Sequence, residues 1–124
     1  LSKMMNEFRE YSPSIVESHH KQKLDAPSGT AISLANDIIK YNDGIKSWQN
    51  TKEANSSILP IQSIREEGIV GIHNITYKSE IDKITISHEA FNRLGFTTGA
   101  IFAAENLKKF SGMIEFKDLL DLNF

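Results

Sequence analysis

Cysteine is absent from the 124 residues, which excludes disulfides, thiol catalysis and cysteine-based zinc sites and fits a reducing compartment. An excess of basic charge is missing as well. With a net charge of −2, the chain lacks the electrostatic footprint of a general nucleic-acid binder, so any capacity to hold anions must be local. Long hydrophobic runs are also lacking: none approaches the roughly 18 residues of a membrane span. The opening LSKMMNEFRE has neither the apolar core nor the small-residue cleavage site of a signal peptide. A cytoplasmic location without membrane partners is therefore expected. What remains, 40% apolar and 24% charged residues, is the composition of one soluble globular domain.

Leu1, Met4, Met5 and Phe8 follow the i, i+3, i+4, i+7 spacing of a helical face. No capping residue precedes them, so further sequence is expected before Leu1. Tyr-Ser-Pro-Ser at 11–14 ends that helix, because proline and the residue before it resist the α conformation. SIVESHH then reads as a strand with Ile15, Glu17 and His19 on one face and Val16, Ser18 and His20 on the other. LDAPSGT is a turn feeding a helix whose apolar face is Ala31, Ile32, Leu34, Ala35, Ile38 and Ile39. Gly44 is expected as its left-handed cap.

Residues 46–60 are polar and read as a surface loop. Two alternating runs, Ile69–Tyr77 and Asp82–Ala90, with a shorter one at PIQSIR, predict a small sheet. Thr97, Thr98 and Gly99 should precede a second long helix with Ala100, Ala103, Ala104, Leu107 and Phe110 turned inward. GMIEFKDLLDL is expected as a brief strand followed by a turn or helix. The fold class is α+β, a small mostly antiparallel or mixed sheet packed against helices.

Chemistry concentrates in ESHHKQKLDAPSGTA, residues 17–31. A glycine ahead of a helix permits close approach to the backbone, and the first helical N–H groups lack internal partners. Such an end attracts a carboxylate or phosphate. The plainer alternative is an N-cap by Ser28 or Thr30 with no ligand. His19, His20, Lys21 and Lys23 lie just upstream, supplying groups that trade protons near neutrality and groups that carry charge. They suit an anion that must be held and protonated, although a solvated charged loop has the same composition. A metal site is disfavoured, because adjacent histidines on a strand diverge and no i, i+4 histidine pair is present. A Ser28–His19–Asp25 triad lacks a nucleophile elbow around the serine. His73 and His88, inside the alternating runs, read as hydrogen-bonded core or interface histidines.

The same fifteen residues resemble the signature of the 4-hydroxy-tetrahydrodipicolinate reductase (dihydrodipicolinate reductase) family, E-x-H-H-x-x-K-x-D-x-P-S-G-T-A, at every fixed position. REEGIVGIHNITY is similar to the family's R-x-G-x-x-G-x-H strand. SHEAFNRLGFTTGAIFAAENL is similar to its H-x-A-x-x-R-x-x-F-x-x-GA helix entry, so the resemblance spans essentially the whole chain. Phe91 and Asn92 depart from the smaller or polar residues usual before the arginine, and FTTGA stands where FAxGA is usual.

This resemblance implies an NADH- or NADPH-dependent reduction of a cyclic dicarboxylate, with loss of water from the 4-hydroxy substrate, in diaminopimelate and lysine biosynthesis. It implies His19 as proton donor or acceptor and Lys23 as second proton donor or polarising cation. His20, Ser28, Gly29 and Thr30 would bind substrate. Asp25 and Pro27 would shape the turn, and Arg93 would reach toward cofactor or substrate. In the family a Rossmann domain comes first, followed by an α+β substrate domain that also builds a homotetramer. No G-x-G-x-x-G follows a first strand here, so residues 1–124 correspond to the second domain, with about 1–10 and 94–124 expected to pack on a dinucleotide-binding domain outside this chain. Two other classes stay open: a stand-alone binding module for small dicarboxylates, and an oligomerisation domain with a vestigial site.

Overall fold

The computed structural model describes residues 1–53 and 56–120, and the chain divides into two compact units, Leu1–Phe91 and Asn92–Phe124. The first unit is built on a five-stranded sheet of order β2-β3-β1-β4-β5. Its strands are β1 (Ser12–His19), β2 (Ser47–Asn50), β3 (Ile58–Arg65), β4 (Gly71–Lys78) and β5 (Lys83–Ala90). The three strands β2, β3 and β1 run parallel, whereas β4 and β5 continue antiparallel. The sheet is therefore mixed.

Strand β1 begins earlier than the proline at 13 suggests. Pro13 pairs with Tyr77 of β4, while pairing to β3 starts only at Ile15. A proline is tolerated at this end of the strand, before the ladder to β3 begins. Strand β2 lies within the stretch read as loop: Ser47–Asn50 pairs with Ile58–Ile61. Four residues carrying one large apolar side chain, Trp48, are too short to show a period, so pairing rather than pattern makes this strand. The expected loop narrows to the residues between β2 and β3, of which 54 and 55 lie outside the described residues.

Helix α2 (Gly29–Lys40) covers one face of the sheet. Ala31, Ala35 and Ile38 form its buried stripe and meet Ile15, Leu59 and Ile61, with Leu34, Ile39, Trp48 and Ile75 at the margin. The two alanines let the helix approach the strands, and each fully buried isoleucine or leucine contributes about 1.5–3 kcal/mol. Gly44 is not the left-handed cap expected: positive φ occurs only at Gly68 and Gly112 among the described glycines. The helix closes instead at Tyr41, where the N–H groups of Tyr41 and Asn42 donate to the carbonyls of Ile38 and Ile39, and the Asn42 side chain holds the following turn, its Oδ1 accepting from Gly44 N at 2.9 Å and Ile45 N at 3.0 Å.

The opening helix α1 is one turn, Ser2–Met5, and buries only Met5 of the expected face. In the second unit, helix α3 spans Leu94–Asn106, followed by a 3-10 turn at Leu107–Lys109 and a short helix α4 at Phe116–Leu119. Helix α3 starts before Thr97 because Asn92 Oδ1 accepts from Leu94 N at 2.9 Å and thereby opens it. Its expected inward face is not buried in this chain: no residue of α3 is buried, and Leu107 and Phe110 are exposed. The brief strand expected in the last segment does not form among the described residues, and residues 121–124 lie outside them. No described helix is long and apolar enough to cross a membrane.

Candidate functional site

At the C-terminal end of β1 the chain places a fully buried carboxylate, Glu17, on the face covered by α2. An isolated ionised carboxylate cannot be buried without large cost, so its partners define the site. Arg65, the last residue of β3, donates from Nη2 to Glu17 Oε1 at 2.9 Å. Its guanidinium also donates to the carbonyls of Ile64 at 2.7 Å, Asp25 at 2.6 Å and Lys23 at 3.3 Å. The other carboxylate oxygen, Oε2, pairs with Nδ1 of His19. Burial pushes the Glu17 carboxyl up, but hydrogen bonds and the Arg65 charge outweigh it and hold the group below the usual range. Ser63 Oγ adds to this pull while making no hydrogen bond of good geometry.

His19 ends its strand and stands edge-on to His73 of β4, with ring centroids 5.1 Å apart. His73 Nε2 meets Ser28 Oγ at 3.0 Å. Burial, then the nearby His19, pushes the His73 imidazole below its ordinary value. Ser28 is the N-cap of α2: its Oγ accepts from Ala31 N at 3.2 Å. The carboxylate, two imidazoles, one hydroxyl and a helix N-terminus are thus joined by short contacts. Gly71 lies beside His19, where a Cβ would stand 3.3 Å from Nε2. The absent side chain leaves the ring room on that side.

The remaining expected residues of the first unit lie in the loop after β1 and the first turn of α2. Lys23 Nζ donates to both carboxylate oxygens of Asp25 at 2.8 Å, and that ammonium holds the Asp25 carboxyl below its usual range. Asp25 therefore does more than shape the turn. Gly29 and Thr30 open α2 and face solvent, and a Cβ at Gly29 would meet nothing within 4 Å. The chain's own packing does not require a glycine there. His20 lies just beyond the strand, pairing with Gln22 Oε1 at 3.2 Å, so the two adjacent histidines have separate partners. Arg93 is in the second unit, at the N-cap of α3. His88 is exposed on the edge strand β5 of the first unit, so of the two readings, core or interface, the core one does not hold.

Three participants were missed as site residues by sequence reasoning: Glu17, Arg65 and His73. All three stood in quoted motifs, Glu17 at the head of ESHH and Arg65 and His73 at the two ends of REEGIVGIH. From its strand position His73 read as a hydrogen-bonded core or interface histidine. Ligand atoms of Glu17, His19 and His73 lie within 4.8 Å of one another, close enough to converge on a cation. Glu17 is already committed on both oxygens, to Arg65 and His19. A cavity of about 360 Å³ lies near the start of β1, lined by Met5, Phe8, Arg9, Pro13, Ile45 and others. Seven residues of extended strand separate that end from His19, roughly 23 Å, so it is distinct from the histidine cluster.

The family model described as dihydrodipicolinate reductase, C-terminus, matches residues 1–120. A curated relative from Christiangramia forsetii, named 4-hydroxy-tetrahydrodipicolinate reductase, is 49% identical over 97% of this chain and 50% of its own length. One of the same name from Pelagibacter ubique is 37% identical over 97% of this chain and 49% of its own length. The chain thus spans about half the length of these relatives. Among solved structures, a dipicolinate-bound dihydrodipicolinate reductase from Paenisporosarcina sp. TG-14 aligns with a TM-score of 0.60 at 26% identity, covering 91% of this chain and 48% of that one.

Proposed function

Because the chain belongs to the dihydrodipicolinate reductase family, matching its C-terminal domain, we propose that it binds the cyclic dicarboxylate substrate and handles protons in an NAD(P)H-dependent reduction of 4-hydroxy-tetrahydrodipicolinate to tetrahydrodipicolinate. The reaction belongs to diaminopimelate and lysine biosynthesis. The observation that carries this reading is the junction of His19, through His73 and Ser28, with the N-terminus of α2. A carboxylate of the ligand accepts from the unpaired N–H groups at Gly29 and Thr30, aided by the Thr30 hydroxyl and the helix dipole. Dipicolinate in the Paenisporosarcina neighbour is a ligand of this class.

His19 and Lys23 are the proton-handling and polarising groups, with His20 at the rim of the same loop. Asp25 holds the Lys23 ammonium, and a bound carboxylate competes for it. The hydride donor is held mainly by the rest of the whole protein, since this chain spans about half the length of its relatives, with Arg93 as this chain's contribution to it. Residues 1–10 and 94–124 face a dinucleotide-binding domain, consistent with exposed Met4, Phe8, Leu94 and Phe96. Homotetramer assembly is part of the proposal, as is a cytoplasmic location.

The test is consumption of reduced nicotinamide nucleotide by the complete protein supplied with the 4-hydroxy substrate. Turnover that falls by roughly 10²-fold or more in His19→Ala supports the assignment. Unchanged turnover in that variant refutes the role of His19, and no turnover in the unaltered protein favours the stand-alone binding module.

A further inference from the structure

Glu17 is the one fully buried charged side chain among the described residues, and substrate contact does not account for it. Its two oxygens have different tasks: Oε1 accepts from Arg65 at 2.9 Å, and Oε2 pairs with Nδ1 of His19. Arg65 is itself fixed by three backbone carbonyls, those of Ile64, Lys23 and Asp25. The carboxylate therefore sits in a fork that cannot turn away, and register helps, since His19 and Arg65 are direct neighbours on β1 and β3. An ionised carboxylate only accepts hydrogen bonds. The imidazole nitrogen facing it must then carry the proton, and the other nitrogen, Nε2, lies beside the room left by Gly71.

We propose that Glu17, locked by Arg65, is a positioning residue that fixes His19 in the Nδ1–H tautomer and so reserves Nε2 for proton exchange with the bound ligand. This rests on the function proposed above. The same Arg65 carries the Lys23 loop through two carbonyls, so a single guanidinium sets both the histidine's orienting carboxylate and the position of the second cationic group. A glutamine cannot replace Glu17 in this role, because an amide has one acceptor and two neighbours that demand it. Arg65, permanently charged, takes the amide oxygen, leaving the NH2 group to face His19 and to favour the Nε2–H tautomer.

The decisive experiment is long-range ¹H–¹⁵N NMR of the His19 ring at about pH 8.5, well above the reference imidazole value, together with steady-state kinetics of the complete protein. The expected result is an Nδ1–H tautomer in the native sequence and a switch to Nε2–H in Glu17→Gln. In the same variant kcat should fall by roughly 10²-fold, with KM for the dicarboxylate changed by less than about threefold. An Nε2–H tautomer in the native protein overturns the proposal, and that readout stands even if Glu17→Gln fails to fold. An unaltered kcat in a folded Glu17→Gln also overturns it. A native protein that shows the Nδ1–H tautomer but no turnover of the dicarboxylate instead refutes the functional reading and leaves the tautomer assignment standing.

Discussion

Replacing Ser28 by alanine separates two things that this residue does. Its side chain is 3% exposed, its Oγ accepts from Ala31 N at 3.2 Å, and the same oxygen meets His73 Nε2 at 3.0 Å. Losing the cap costs about 1 kcal/mol. Leaving a half-buried imidazole nitrogen without its partner costs about 1–2 kcal/mol more. The sum, about 2–3 kcal/mol, corresponds to a drop of roughly 10 °C in Tm for a unit of this size. Ser28→Asp provides the contrast, since aspartate caps as well as serine but places a negative charge where a carboxylate is to bind. It should keep most of the stability and lose dicarboxylate affinity. Urea unfolding with calorimetric titration of both variants is the assay. A Ser28→Ala loss below about 0.5 kcal/mol refutes the capping geometry, and undiminished affinity in Ser28→Asp refutes the anion site at this helix end.

Acid should destabilise the first unit in two stages. His73 is pushed below its ordinary 6.5, so the unfolded chain takes up that proton first and stability falls as pH drops below 6.5. Glu17 is held below its ordinary 4.5, so its contribution is present above that value and is lost as pH falls further. Urea midpoints measured against pH check this: a midpoint that rises between pH 6.5 and 4.5 contradicts the His73 shift, and one that rises below 4.5 contradicts the Glu17 shift. Gly71→Ala places a methyl 3.3 Å from His19 Nε2 and 3.5 Å from Cδ2. Stability should change by less than about 1 kcal/mol, while turnover of the complete protein falls roughly tenfold through the displaced ring; full turnover would show that the ring has slack.

Much of this arrangement is legible before folding because it is local. The turn and helix at 27–40 announce themselves by a capping serine and a stripe at 31, 35 and 38, and Ser28 caps as one of the two residues expected. The strands at 71–78 and 83–90 follow from alternation. What escapes is made by distant pairing. Strand β2 exists because β3 lies beside it, and α2 closes at Tyr41, where Gly44 is the more obvious candidate. Glu17 reads as an alternating strand residue until Arg65, 48 positions away, neutralises it. His73 looks like any strand histidine until Ser28, 45 positions away, turns out to be its partner. Glu17 is thus local to His19, two positions away, whereas the contacts to Arg65 and His73 that complete the site are not.

The most direct test of the central claim is calorimetric titration of pyridine-2,6-dicarboxylate into the complete protein, saturated with reduced nicotinamide nucleotide, beside a Thr30→Val control. Saturable binding, weakened in Thr30→Val by about 1–3 kcal/mol, or roughly 5- to 150-fold in Kd, is the predicted result. Absence of binding, or equal affinity in the two proteins, would contradict a dicarboxylate site at the N-terminus of α2.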